Sequence, residues 1–152
     1  MELNKFQISG QSVATIGNSF LLDNHKTALF CSRKCPAEMI MDAHDQFKVW
    51  AREERTVISG FHSPVEKECL RILLKSKGSI ILCPARGIGN MLIRSEWRQP
   101  MVEGRLLIIS PFADGVRRST ALTAQKRNEF IGSISDESVV IYAGAGSKLA
   151  GI

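Results

Sequence analysis

The sequence lacks any apolar run long enough to cross a membrane. Its longest runs, at residues 106–109 and 138–142, have the length of β-strands and fall far short of the roughly 20 apolar residues that a spanning helix requires. Residues 1–10 also lack the basic stretch followed by an apolar block that marks a secretory signal. The sequence therefore predicts a cytoplasmic protein with no membrane partner.

Cysteine is scarce, with four residues in a chain of 152. They are Cys31, Cys35, Cys69 and Cys83. This spread is unlike the dense pattern of small secreted proteins that depend on disulfides. Cys31 and Cys35 form a C-x3-C pair, but no second pair or histidine cluster accompanies them to complete a tetrahedral zinc site. We expect reduced thiols and no metal, with a redox or metal role for this pair as the less favoured alternative.

Motifs for nucleotide cofactors and for catalysis are absent as well. No G-x-G-x-x-G follows the first predicted strand, residues 87–89 lack the third glycine of that fingerprint, and no Walker A sequence occurs. None of the three histidines lies in a G-x-S-x-G or H-E-x-x-H motif. His62 alone lies in a loop where it could contact a ligand, and a structural polar contact explains it equally well. We predict no catalytic residue and no cofactor.

The sequence has enough apolar residues for the core of one domain, and it carries an excess of positive charge. At 152 residues and 44% apolar content, the chain can form one continuous core. Twenty Lys and Arg against 15 Asp and Glu give a net charge of +5, which favours an anionic partner. Basic pairs occur at residues 33–34, 117–118 and 126–127, all beside predicted loops or helix starts.

From residue 26 onward, short apolar runs alternate with amphipathic stretches, a pattern typical of βα units in a parallel sheet. The predicted strands are 27–31, 56–59, 79–83, 105–109 and 138–142, and the predicted helices cover 36–53, the segment from Pro64 toward Gly78, and 120–134. The second helix has the clearest start, with Ser63 as N-cap and Glu66 completing a capping box. We predict an α/β, Rossmann-like open, mainly parallel five-stranded sheet with helices on both faces, formed by residues 26–152 and preceded by an N-terminal arm at residues 1–25.

The distinctive loops all follow predicted strands, so we expect them at one edge of the sheet. In open parallel sheets this carboxyl edge binds ligands, because helix N-termini and free backbone amides converge there. Glycine, hydroxyl and arginine side chains in these loops suit phosphate. A turn alone would explain any single glycine, but five such loops together favour a binding edge. The candidate residues are Ser32, Arg33, Gly60, Phe61, His62, Arg86, Gly87, Gly144, Gly146 and Ser147.

The order of these motifs resembles the DNA-processing protein A (DprA/Smf) family, part of the SLOG class of Rossmann-like ligand-binding domains. Residues 31–33 are similar to the family's G-S-R, residues 59–66 to its S-G-x-A-x-G-I-D, and residues 127–135 to its R-N-R-I-I-A-G-L-S. The resemblance spans roughly residues 27–149. Three positions depart from the motifs, because Cys31 and Pro64 replace glycines and Glu129 replaces the second arginine of R-N-R.

The resemblance implies a basic pocket for nucleic-acid phosphates, no established catalysis, and self-association into a homodimer or other homo-oligomer. It implies that the pocket is lined by Ser32, Arg33, Ser59, Gly60, Arg127 and Asn128. We predict a non-enzymatic protein that binds single-stranded DNA in DNA processing and recombination. Because only Phe61 and Phe112 lie in loops where a base could stack, we expect contacts to phosphates and little base reading.

Two alternatives use the same fold. A sensor for a nucleotide or nucleotide-derived ligand would need fewer basic residues, and Glu129 could accept a hydrogen bond from a ribose or a base. A nucleotide-processing phosphoribohydrolase is less favoured, because the P-G-G-x-G-T-x-x-E motif of those enzymes is absent and residues 143–147 carry no acid at the needed position.

Overall fold

The computed structural model describes residues 2–144, which form a seven-stranded sheet flanked by helices. The strands are β1 (Leu3–Ile8), β2 (Gln11–Gly17), β3 (Lys26–Cys31), β4 (Thr56–Ser59), β5 (Ser79–Leu82), β6 (Leu106–Ser110) and β7 (Glu137–Tyr142). The helices are α1 (Ala37–Arg52), α2 (Pro64–Leu74), α3 (Ser95–Val102) and α4 (Ala121–Ile134), with a 3₁₀ helix at Ser19–Asp23. Within residues 2–144, no helix combines the length and apolar character needed to cross a membrane.

The strand order is β1-β2-β6-β5-β4-β3-β7, and strands β3 to β7 run parallel to one another. The predicted Rossmann-like α/β class is confirmed. The predicted number of five strands is wrong, because residues within the expected N-terminal arm form an antiparallel hairpin that pairs with β6. Its two-residue turn places Ser9 and Gly10 at positive φ, which matches the twist of a tight hairpin. Gly17 then approaches β6 so closely that a Cβ would lie 2.4 Å from the Leu106 carbonyl oxygen.

Apolar side chains fill both faces of the sheet. On one face, α1, α2 and α3 contribute Trp50, Cys69 and Trp97, respectively, to the larger cluster. On the other face, the 3₁₀ helix and α4 cover the smaller cluster, to which Phe130 and Ile131 belong. Helices therefore lie on both faces of the sheet, as predicted. Parallel strands that are covered on both faces typically have continuous runs of apolar residues.

Local signals in the sequence placed most helix boundaries to within one or two residues. The capping box of α2 is present, with Ser63 accepting from the Glu66 amide and the Glu66 side chain accepting from the Ser63 amide. The helical spacing of Ile40 with Ala43, Phe47 and Trp50 predicts that all four lie on the buried face of α1, but Ile40 is 39% exposed. That prediction was wrong because residues 37–42 are all exposed, so the first turns of α1 extend beyond the strands on which the helix packs.

The cysteines show no sign of a disulfide or a metal site. All four are free thiols, and Cys31, Cys69 and Cys83 are buried. Burial raises the pKa of the Cys83 thiol to about 12, which keeps it protonated at neutral pH. Among residues 2–144, no three His, Cys, Asp or Glu side chains are arranged to hold a metal ion.

The connectivity creates one switch point in the sheet. From β3 to β6 the chain moves strand by strand in one direction, and α4 then carries it back across the other face to β7, on the far side of β3. The carboxyl ends of β3 and β7 therefore flank the crevice where open α/β sheets bind ligands.

Candidate phosphate-binding site

The ends of β3 and β7 are joined directly at the switch point. The Ser32 amide donates to the Tyr142 carbonyl oxygen at 2.8 Å, and the Gly144 amide donates to Ser32 Oγ at 3.1 Å. Arg33 follows on the surface, and its Nη2 lies 3.4 Å from His62 Nε2. Because a guanidinium can only donate, this contact requires His62 Nε2 to be the unprotonated, accepting nitrogen. Gly146 and Ser147, also predicted for this edge, lie outside the described residues.

A buried carboxylate organises the loops beside this point. Glu66 is only 6% exposed, and its two oxygens accept hydrogen bonds from the Cys31 amide at 2.9 Å, the His62 amide at 2.9 Å and the Ser63 amide at 3.1 Å. The expectation that free amides at the start of α2 would receive a phosphate does not fit this arrangement. The carboxylate already occupies the positive end of the helix.

Arg127 reaches the same edge from the opposite face of the sheet. The side chain is 6% exposed, with Nε donating to Asn128 Oδ1 at 2.7 Å and Nη1 donating to the Cys83 carbonyl oxygen at 3.3 Å. These two hydrogen bonds fix the orientation of the guanidinium, and among the described residues Nη2 has no partner.

Gly60 makes room for that guanidinium. A Cβ at position 60 would lie 2.0 Å from Arg127 Nη1, so any larger residue would displace the arginine. The glycine was predicted to let a phosphate approach the backbone, and in the structure it instead lets a cation approach. Gly60 and Arg127, which the resemblance placed in one pocket, are indeed in contact.

The charges around His62 make this part of the edge positive. Partial burial lowers the pKa of His62 below 6.5, and the nearby charges of Arg33 and Arg127 lower it further, with Glu66 opposing them. The imidazole is therefore neutral at pH 7 in the free protein, and the two guanidinium groups carry the positive charge. This arrangement favours a ligand with one or more anionic groups.

Two residues predicted to contact a ligand have structural partners. The Ser59 hydroxyl is buried and accepts from the Phe61 amide at 3.0 Å. Phe61 adopts φ 48° and is 4% exposed, with its ring in the larger core cluster. Phe61 lies in a loop where a base could stack, but its ring is buried in the core and is not exposed for stacking. Phe112, the other stacking candidate, is half-buried.

The loop after β5 packs against the loop after β6. The Gly87 amide donates to the Val116 carbonyl oxygen at 2.8 Å, and a Cβ on Gly87 would lie 2.4 Å from the Ala113 carbonyl oxygen. Gly87 therefore serves loop packing, and its amide is not free for a phosphate. The half-buried Arg86 lines a cleft together with Gly60 and His62.

That cleft extends the site beyond the residues predicted from the sequence. It has a volume of about 1110 Å³ and lies between α2 and the segment from Pro84 to Trp97. Its basic residues on α2 and at the end of that helix are Lys67, Arg71 and Lys75. Their spacing of four residues is visible in the sequence and could have identified them as one helix face.

The chain is similar to one known family. A sequence model of the family described as DNA recombination-mediator protein A matches residues 3–148. No curated protein sequence matches the chain.

Two solved structures share the fold. DNA processing protein A from Helicobacter pylori, in a structure that describes its unique single-stranded DNA binding mode, is similar with a TM-score of 0.70 and 14% identity, over 97% of this chain and 74% of that one. DNA processing protein A from Streptococcus pneumoniae is similar with a TM-score of 0.67 and 19% identity, over 85% of this chain and 45% of that one. The chain thus spans less than half of the Streptococcus protein.

The role of Glu66 can be tested by its effect on stability. Replacing Glu66 with Ala leaves three backbone amides without their acceptor, and we expect the free energy of unfolding to fall by about 3 kcal/mol. Chemical denaturation measures this change. Glu68→Ala, two residues away, removes only surface ion pairs with Arg71 and His44 and should cost at most about 1 kcal/mol. Equal losses for the two variants would contradict the assignment.

Proposed function

The chain belongs to the DNA recombination-mediator protein A family, and from that membership we propose that it binds single-stranded DNA in DNA processing and recombination. The binding site is the carboxyl edge of the sheet around Arg33, His62 and Arg127. The observation that carries the proposal is the guanidinium of Arg127, which is held by Asn128 and Cys83 next to Gly60, at the carboxyl ends of β4 and β5. The proposed role is binding and includes no chemical step.

Phosphates are the groups that this edge is built to recognise. Arg33 is exposed, whereas Arg127 is buried and held by hydrogen bonds. An incoming phosphate would therefore meet one guanidinium that can adjust its position and one that is already oriented. Because the Phe61 ring lies in the core, stacking contributes little at this point. We therefore expect binding that depends weakly on base sequence and strongly on salt. Self-association and a cytoplasmic location stay predictions from the sequence.

The direct test is fluorescence anisotropy with a labelled single-stranded oligonucleotide over a range of salt concentrations. We expect tight binding at low salt and a steep fall in affinity as salt increases. Arg33→Gln removes an exposed cation, so it should weaken binding and make the logarithmic salt slope shallower by about 0.7, the value for one phosphate contact on a single strand.

Arg52→Gln is the matched control, because Arg52 is exposed in the last turn of α1, at the opposite end of that helix from the carboxyl edge. This variant should bind like the unmodified protein. Absence of oligonucleotide binding at low salt would refute the proposal. Strong thermal stabilisation by a mononucleotide, without oligonucleotide binding, would indicate the sensor alternative.

Gly60→Ala tests the orientation of Arg127 without removing its charge. The added methyl group occupies the position of the guanidinium, so the side chain must move, and we expect lower affinity for the oligonucleotide with the fold retained. Gly132→Ala on α4 is the control, since a Cβ there meets nothing within 4 Å and should stabilise the helix slightly. Unchanged affinity in Gly60→Ala would show that the orientation of Arg127 is irrelevant.

Binding should also depend on pH through His62. Its pKa is lowered in the free protein, and a phosphate placed beside it would raise that pKa, so binding takes up a proton. His62 thus has a higher pKa in the complex than in the free protein. Affinity for the oligonucleotide should increase as the pH falls from the higher of these two values to the lower one. Anisotropy at several pH values should show this increase in the unmodified protein and in His44→Gln, but a weaker one in His62→Gln. An identical pH profile in His62→Gln would contradict the assignment.

A further inference from the structure

The cleft beside the sheet edge carries a marked imbalance of charge. Five cationic side chains line it, against one carboxylate. The cations are Lys67, Arg71, Lys75, Arg86 and Arg94, and the carboxylate is Glu96. Arg71 pairs with Glu68, and Arg94 lies 3.9 Å from Glu96. The other three cations have no carboxylate within ion-pair distance among the described residues, so the cleft keeps a net positive charge.

The cations on α2 form a row that leads away from the proposed site. Lys67, Arg71 and Lys75 are separated by four residues each, which is about 6 Å along a helix axis. Such a row can contact successive phosphates of an extended strand, whereas a single small anion would use only one position. The row begins beside the sheet edge, because Lys67 is the fourth residue of α2, which starts at that edge, and it lines the cleft together with Gly60 and His62.

The floor of the cleft is apolar. Side chains from α2, β5, the segment before α3 and α3 itself line it, namely Leu70, Leu74, Leu82, Met91, Leu92 and Trp97. Leu92 is 86% exposed, which leaves a large apolar side chain open to a partner. A basic rim over an apolar floor matches a single strand, whose phosphates and unpaired bases are both accessible. A duplex keeps its bases stacked inside and would leave the floor uncovered.

We propose that the cleft between α2 and the segment from Pro84 to Trp97 is a second section of the nucleic-acid path. A single strand held at the edge by Arg33 and Arg127 continues past Gly60 and His62, and Lys67, Arg71 and Lys75 bind its next phosphates. This assignment rests on the proposed function, because it extends the path from the same edge. The cleft touches Gly60 and His62 at one end and Lys75 at the other, so the path is continuous.

The test compares two lengths of single-stranded DNA with one double variant. A short oligonucleotide of about 4 nucleotides should occupy only the edge, and a longer one of about 16 should also enter the cleft. Arg71→Gln/Lys75→Gln removes two exposed charges, four residues apart and away from the edge, while keeping residues that favour helix. We expect weaker binding of the long oligonucleotide, with a logarithmic salt slope shallower by about 1.4 for two lost phosphate contacts. Affinity for the short oligonucleotide should be unchanged.

Lys48→Gln/Arg52→Gln is the control, because it removes the same charge at the same spacing from the exposed face of α1, outside the cleft. It should bind both oligonucleotides like the unmodified protein. Thermal unfolding of both double variants checks that the fold is retained.

The outcomes separate this inference from the proposed function. If the cleft variant binds the long oligonucleotide with unchanged affinity and salt slope, the inference is wrong, while binding of the short oligonucleotide that depends on Arg33 would still support the proposed function. If the unmodified protein binds neither length, both are wrong. If polyglutamate displaces the long oligonucleotide as well as unlabelled DNA does, the cleft is a general anion groove and the assignment to nucleic acid is wrong.

Discussion

The carboxylate of Glu66 is the interaction on which the arrangement of the site depends. It is buried and accepts from three backbone amides, which belong to the end of β3, to the loop after β4 and to the N-cap of α2. Three segments are thereby held at fixed positions by one side chain. A buried charge is tolerated only when its hydrogen bonds are satisfied, so the loops cannot move without exposing it. Because this carboxylate neutralises the start of α2, the positive charge of the edge must come from side chains.

Those side chains divide between fixed and mobile cations. Arg127 is packed against Gly60 and held by Asn128 and Cys83, so little side-chain entropy is lost when it meets a phosphate. Arg33 is exposed, and among residues 2–144 its guanidinium contacts His62, so it can adjust to the ligand. A fixed donor supplies precise orientation, and a mobile one increases capture of an extended, variable polymer. This combination suits a strand whose sequence is not read.

The sequence predicted the parallel part of the fold well because its signals are local. The capping box at Ser63 and the strand at 56–59 need only neighbouring residues to be recognised, and both are present as predicted. The hairpin at the N-terminus was missed because its stability comes from pairing with β6, about 90 residues away in the chain. The same reason explains Phe61, whose burial depends on a left-handed backbone angle that no pattern of apolar residues indicates. The site was predicted largely by resemblance, since composition alone cannot bring Arg127 to Gly60.

The three departures from the family motifs fall where the structure tolerates them. At position 31 the edge uses the backbone amide, which donates to Glu66 whatever the side chain is. Pro64 is the first residue of α2, where no backbone hydrogen is needed and the fixed φ of proline suits a helix. Glu129 is exposed on α4, while Arg127 and Asn128 are buried. One residue rotates a helix position by about 100°, so position 129 faces solvent, and a carboxylate there does not disturb the guanidinium beside Gly60.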